Sequence, residues 1–138
     1  MFKYVLNDQS VGAFAGKVLV KENCPRTVAY QGNRNIVASA DAKMYSKPQL
    51  EIYTDDVKCS HGSATGQLNE EALFYMRSRG ISEAEARQLL MQAFMSDGID
   101  AVRLPALKDR LHHLVEKRFR GQLAMCADCT AANCAAAK

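Results

Sequence analysis

The chain has 138 residues, 48% of them hydrophobic and 24% charged, which is an ordinary globular balance for one domain with a fair buried core. A formal net charge of +3 is too mild to point to nucleic acid as a partner. No apolar run approaches the roughly 18–20 residues that cross a bilayer, and the N-terminal FKYVLNDQS lacks a signal-peptide layout, so a cytoplasmic protein with no membrane partner is expected.

The first third reads as short strands. Phe2, Tyr4 and Leu6 alternate with Lys3, Val5 and Asn7, the period of a half-buried strand, and Asn7-Asp8-Gln9-Ser10 has turn composition. A second run spans Gly12–Val20, where Gly12 and Gly16 suggest a tight bend or close backbone approach. Glu22-Asn23-Cys24-Pro25 breaks it, and Thr27–Tyr30 resumes the pattern. Gln31-Gly32-Asn33-Arg34-Asn35 reads as another turn before strand-like Ile36–Ala38. Such spacing suits a sandwich, a barrel or a β-solenoid, and the pattern alone does not choose among them.

Lys47-Pro48 opens a further strand, with Leu50 and Ile52 on one face and Glu51 and Tyr53 on the other. Thr54-Asp55-Asp56 ends it as a solvated turn, and Val57–His61 extends it. Gly62-Ser63-Ala64-Thr65-Gly66 reads as a small-residue linker, after which the period becomes helical. Asn69 is the expected N-cap of a first helix, with Glu70 and Glu71 at the positive end of its dipole and Gly80 at C′. Leu73, Phe74 and Met76 form its apolar side. Ser82 and Glu85 form a capping box opening Glu83–Ser96, whose stripe is Ala86, Leu89, Leu90, Ala93 and Phe94, with Gly98 as its stop. A last helix starts at Pro105 and carries Leu107, Leu111, Leu114, Val115 and Phe119. From Leu123 the chain is alanine-rich and cysteine-bearing, and a poorly ordered tail is expected there.

Five cysteines, Cys24, Cys59, Cys126, Cys129 and Cys134, are expected as thiols or metal ligands rather than a disulfide framework. Cys59 and His61 stand two residues apart, so on a strand both project from one face. Thiolate and imidazole suit Fe, Zn or Cu, but two donors do not fill a tetrahedral site. By spacing alone, the pair reads as a partly buried cysteine beside a surface histidine. Cys126-Ala-Asp-Cys129, with Cys134, is a C-x-x-C half-site for zinc or an iron–sulfur cluster and supports one alternative, a stand-alone metal-binding or redox module. Arg103, Lys108, Arg110, Lys117, Arg118 and Arg120 make the last helices basic, which reads as a solvated face. No G-x-x-x-x-G-K-[ST], G-x-S-x-G or H-E-x-x-H pattern occurs, so no enzyme is expected.

Beyond these local readings, several blocks stand in a fixed order. They are Tyr30-Gln31, Asn33-Arg34-Asn35, Lys47–Ile52, Asp55–Gly62, Leu73-Phe74-Tyr75 and Arg77–Ile81. Together they resemble the C-terminal region of the SufD proteins, part of the SufB/SufD family of iron–sulfur cluster assembly scaffolds, from near Asn7 to about Arg120. The loop after His61 departs slightly from the small-residue run usual there.

The resemblance implies a mixed β and α fold: the last turns of a right-handed parallel β-helix over residues 1–66 and a helical subdomain over 67–121; the cysteine-containing tail expected over 122–138 lies outside the resemblance. It implies a non-catalytic scaffold subunit that pairs with a SufB-like chain, docks a SufC-like ABC-type ATPase, and is linked to iron acquisition. His61 takes a role in cluster assembly at the SufB interface, with Cys59 as its companion. The ATPase would dock on the apolar helix stripes, represented by Leu73, Phe74, Leu89, Leu90, Phe94 and Leu111. No cofactor is expected to be held tightly by this chain alone, only a transient iron–sulfur cluster shared with the partner. Family members are much longer, so the chain reads as a C-terminal fragment or a truncated reading frame.

Overall fold

Strand-forming alternation gives way to capped helices at one point in the chain, and the computed structural model, which describes residues 1–122, divides there. Five strands come first: β1 (Phe2–Leu6), β2 (Val11–Val20), β3 (Val28–Val37), β4 (Lys43–Ile52) and β5 (Lys58–Gly66). Three helices follow: α1 (Glu70–Ser78), α2 (Glu83–Ile99) and α3 (Pro105–Phe119). The protein is thus mixed β and α, with parallel strands preceding helices.

Consecutive strands do not pair with each other. β1, β3 and β5 form one parallel sheet in that order, and β2 and β4 form a second. Phe14 of β2 stacks on Phe2 and Tyr4 of β1 at centroid distances of 4.9 and 6.3 Å, so the two sheets face each other across a shared interior. Register is exact along each ladder, placing Phe2 beside Asn33 and Gln31 beside His61. Parallel pairing keeps each in-register pair on one face, so the inward residues stack in rows.

Two sequence expectations fail here for one reason. Residues 31–35, read as a turn, lie within β3, and residues 62–66, read as a linker, complete β5. The inward positions of these strands are polar because they bond to one another within β3 and across strands. Asn33 and Asn35 exchange two side-chain hydrogen bonds of 2.9 and 2.8 Å, Ser46 of β4 donates to Asn33 Oδ1 at 2.8 Å, and Asn35 Nδ2 donates to Thr65 Oγ1 at 3.1 Å. Strand β4 also begins earlier than Lys47. It tolerates Pro48 in mid-strand because it pairs only with β2 and leaves its other edge unpaired.

The ladder to β4 runs unbroken through Gly12 and Gly16. Both sit inside the ladder beside β4, and both leave room for neighbouring side chains. A Cβ on Gly12 would lie 2.8 Å from Met44 Sδ, and one on Gly16 would lie 1.8 Å from Gln31 Nε2. The expected close approach is real, but side chains make it.

The helices follow their caps. Asn69 Oδ1 accepts from the Ala72 amide at 3.0 Å, and Gly80 takes the left-handed φ of 87° just past Arg79. Ser82 Oγ accepts from the Glu85 amide at 3.3 Å, and Pro105 opens α3. Gly98 does not stop α2, which runs on to Ile99. α2 is fastened to β1 by Lys3, whose side chain is only 5% exposed; its ammonium donates to the Phe94 carbonyl, lies 4.5 Å from the Phe94 ring centroid and pairs with Asp97 at 3.1 Å. Gln88 Nε2 donates to the Phe119 carbonyl at 2.8 Å and holds α3 against α2. No helix among the described residues is long and apolar enough to cross a membrane.

Candidate functional site

β5 is an edge strand, paired on one side by β3 and unpaired on the other. Its inward row is Cys59, His61, Ser63 and Thr65, each beside an inward residue of β3: Ala29, Gln31, Asn33 and Asn35 respectively. Alternation puts Cys59 and His61 on one face about 6.6 Å apart along the strand. Cys59 is a half-buried free thiol and His61 is exposed.

Beneath this outermost row the environment is polar. The Ser63 hydroxyl lies 2.8 Å from Ser46 Oγ and 3.3 Å from Asn33 Oδ1, so the far half of the row is anchored to both sheets. Gln31, adjoining His61, is 9% exposed, and its Oε1 is buried with no hydrogen-bond partner among the described residues. Neither Gln31 nor the asparagine ladder figured among the site residues expected from sequence. The signal was available only as Gln31-Gly-Asn-Arg-Asn35, a composition that also makes turns.

Among the described residues, no group of three or more His, Cys, Asp or Glu side chains is placed to hold a metal ion. Cys59 and His61 are therefore two donors on an open edge, which suits a shared site and falls short of a closed one. Asp55 and Asp56 are exposed in the turn before β5, where the Asp56 carbonyl accepts from the Arg26 amide at 2.7 Å. Cys126, Cys129 and Cys134 lie outside the described residues.

The helical residues separate by exposure. Leu73 is 3% exposed and packs inside, whereas Phe74 beside it is 74% exposed. Leu89 is exposed, while Leu90, Phe94 and Leu111 are half-buried. On α2 the buried positions are Ala86, Met91 and Ile99; of the expected stripe Ala86 is buried, Leu90 and Phe94 are half-buried and Leu89 and Ala93 are exposed, because α2 is covered by β1 on one side and α3 on another. Phe74, Tyr75, Leu89, Leu107 and Leu114 leave large apolar side chains in solvent on three helices. The basic residues are partly matched: Lys108 pairs with Asp100 at 2.8 Å and Arg120 with Glu116 at 2.8 Å. His112 also reaches Asp100, at 3.3 Å, and hydrogen bonds from Lys108 and then His112 hold that carboxyl below its ordinary value of 3.8. A cleft of about 960 Å³ lies between β1, α2 and α3, lined by Leu6, Arg87, Met91, Met95 and Phe119 among others, and does not include Cys59 or His61.

Comparison with known proteins bears on this arrangement. A family model described as "SUF system FeS cluster assembly, SufBD core domain" matches residues 1–94. An iron–sulfur cluster assembly SufBD family protein of Synechocystis is 41% identical over 118 residues, 86% of this chain and 26% of its own length. The iron–sulfur cluster assembly protein SufD of Escherichia coli is 36% identical over 121 residues, covering 88% and 29%. A SufBD family protein of Mycobacterium leprae is 39% identical over 104 residues, covering 75% and 26%. The chain thus spans between a quarter and a third of the length of these relatives.

Proposed function

The chain belongs to the SufBD core family of the SUF system of iron–sulfur cluster assembly, and from that premise we propose that it acts as part of a non-catalytic scaffold of the SufD type. In this reading His61, with Cys59, forms half of a cluster-assembly site that a SufB-like partner completes. The observation that carries it is the placement of this Cys–His pair on the unpaired edge strand β5. The iron–sulfur cluster is cargo here, held transiently between chains. Cys59 supplies a soft thiolate and His61 a borderline imidazole, and the partner supplies the remaining donors.

The finer architecture follows from the same premise. The alternation of strands between two facing parallel sheets, with residues thirty positions apart stacked and bonded, is what successive turns of a β-helix require. We assign residues 1–66 to the last turns of a right-handed β-helix and 67–121 to a helical subdomain that docks a SufC-like ATPase. For docking, exposed Phe74 and Leu89 make contact, Leu90, Phe94 and Leu111 flank them, and buried Leu73 supports α1 from within.

The test is His61→Ala in the full-length protein, with cluster formation measured in the assembled complex with its SufB-like and SufC-like partners. Cluster yield is expected to fall while the complex stays intact. Unchanged yield in an intact complex removes His61 from the mechanism.

A further inference from the structure

The inward row of β5 meets β3 in three polar register pairs: Gln31 with His61, Asn33 with Ser63, and Asn35 with Thr65. Two of the three are closed by side-chain hydrogen bonds, at 3.3 Å between Ser63 and Asn33 and at 3.1 Å between Asn35 and Thr65. The Gln31–His61 pair has the same relation of strands and face. It also contains the one buried side-chain oxygen or nitrogen left without a partner among the described residues, Gln31 Oε1.

A buried acceptor without a donor is costly. The exposed His61 ring is not bonded to Gln31 Oε1 as the structure stands, but the two are register neighbours on strands about 4.8 Å apart, so a rotation of that ring brings an imidazole N–H to the amide oxygen. The amide has little freedom to turn elsewhere. Its Nε2 is lodged over Gly16, where a Cβ would approach to 1.8 Å, and Phe14 Cζ closes the same space at 2.5 Å. A neutral imidazole carries one N–H, and the hydrogen bond made by one ring nitrogen determines which nitrogen is left as a ligand.

We propose that Gln31 is a positioning residue for His61: once the exposed ring turns toward β3, Gln31 Oε1 accepts the His61 Nδ1–H, fixing that tautomer and leaving Nε2 unprotonated as the donor to the cluster's iron. The inference rests on the reading of His61 as a cluster-site ligand and adds the group that orients it. Asn33 and Asn35 brace the row from the other end, so β5 presents His61 from a bonded platform.

The test uses the full chain labelled with 15N-histidine, and long-range proton–nitrogen correlation of the imidazole rings. There are three histidines, and His61→Gln identifies the signal. Wild-type neutral His61 is expected as the single Nδ1–H tautomer. Gln31→Met, which fills the space without an acceptor, should lose that single state and give a mixture, while the His112 and His113 signals stay in place. Gln31→Glu, which keeps an acceptor oxygen, should restore it. A mixed or Nε2–H population in the wild type overturns the proposal without recourse to any variant, and so does an unaltered tautomer in folded Gln31→Met. Because the readout is the ring and not cluster yield, a single tautomer that persists although His61→Ala assembles clusters normally would leave the positioning intact and sink the functional reading alone.

Discussion

At Gly16 the side chain that is missing decides what its neighbours can do. Space for a Cβ is taken by Gln31 Nε2 and Phe14 Cζ, both packed in the interior between the sheets. Gly16→Ala is expected to cost about 1–3 kcal/mol through overpacking, read as a lower urea midpoint at unchanged m-value. Asn33 is the complementary case, 1% exposed and the hub of the ladder. Asn33→Ala takes the donor from Asn35 Oδ1 and the shared acceptor from Asn35 Nδ2, Ser46 and Ser63, of which the last three keep bonds to Thr65 or to each other. The expected loss is about 1–3 kcal/mol, since a buried polar group left unpaired costs more than the hydrogen bond itself contributes. Asp100 gives a pH dependence with a definite sign. Its carboxyl is held low by Lys108 and His112, so its contribution is present above the ordinary value of 3.8 and is lost as pH falls through the lower folded value. Asp100→Asn should flatten that part of the acid limb, measured as midpoint against pH, and should do little near neutrality beyond losing an exposed ion pair.

The elements differ in how openly the sequence announces them, and the difference is physical. Helix starts are local events: Asn69, Ser82 and Pro105 act on backbone groups within three or four residues, and all three lie where the sequence places them. β1 and β2 carry apolar inward residues and are equally legible. β3 and β5 are not, because Asn33, Asn35, Ser63 and Thr65 suit inward positions only when a strand thirty positions away supplies a partner. Gly98 misleads in the opposite direction. As a helix stop it is a local signal, yet α2 continues past it, with the Lys3 side chain packed 3.7 Å from where its Cβ would be. That packing belongs to one contact between elements, the seat of α2 on β1. Lys3→Met keeps the stem and removes the ammonium, so the extra donor to the Phe94 carbonyl and the pairing with Asp97 are lost. Faster amide hydrogen exchange is expected in the C-terminal half of α2, with β3 and β5 unaffected; equal protection throughout would show that the lysine does not fasten the helix.

Across the whole molecule, the described residues offer two separated surfaces: the inward row of β5 and the apolar side chains left in solvent by the helices. The Cys–His pair was legible as a constellation, but its position on an open edge required the strand order, which no local pattern contains. For the helices the sequence shows apolar stripes without saying which apolar residues the rest of the chain covers. Leu73 and Phe74 adjoin in sequence and differ almost completely in exposure, because a step of about 100° around α1 turns one inward and the other out. This gives a sharp distinction between stability and docking. Phe74→Ser in the full-length protein should change unfolding free energy by no more than about 0.5 kcal/mol, as exposed substitutions do. If α1 is an anchor for the ATPase, the same change should weaken capture by about 2 kcal/mol, roughly thirtyfold in Kd, because a truncated aromatic anchor leaves its pocket unfilled. Leu73→Ala should do the reverse, costing about 2–4 kcal/mol of stability by opening a cavity while leaving the docking surface in place wherever the helix remains folded. Calorimetric titration of the SUF ATPase into each variant separates the two, and an unchanged Kd for Phe74→Ser would move the docking site off α1.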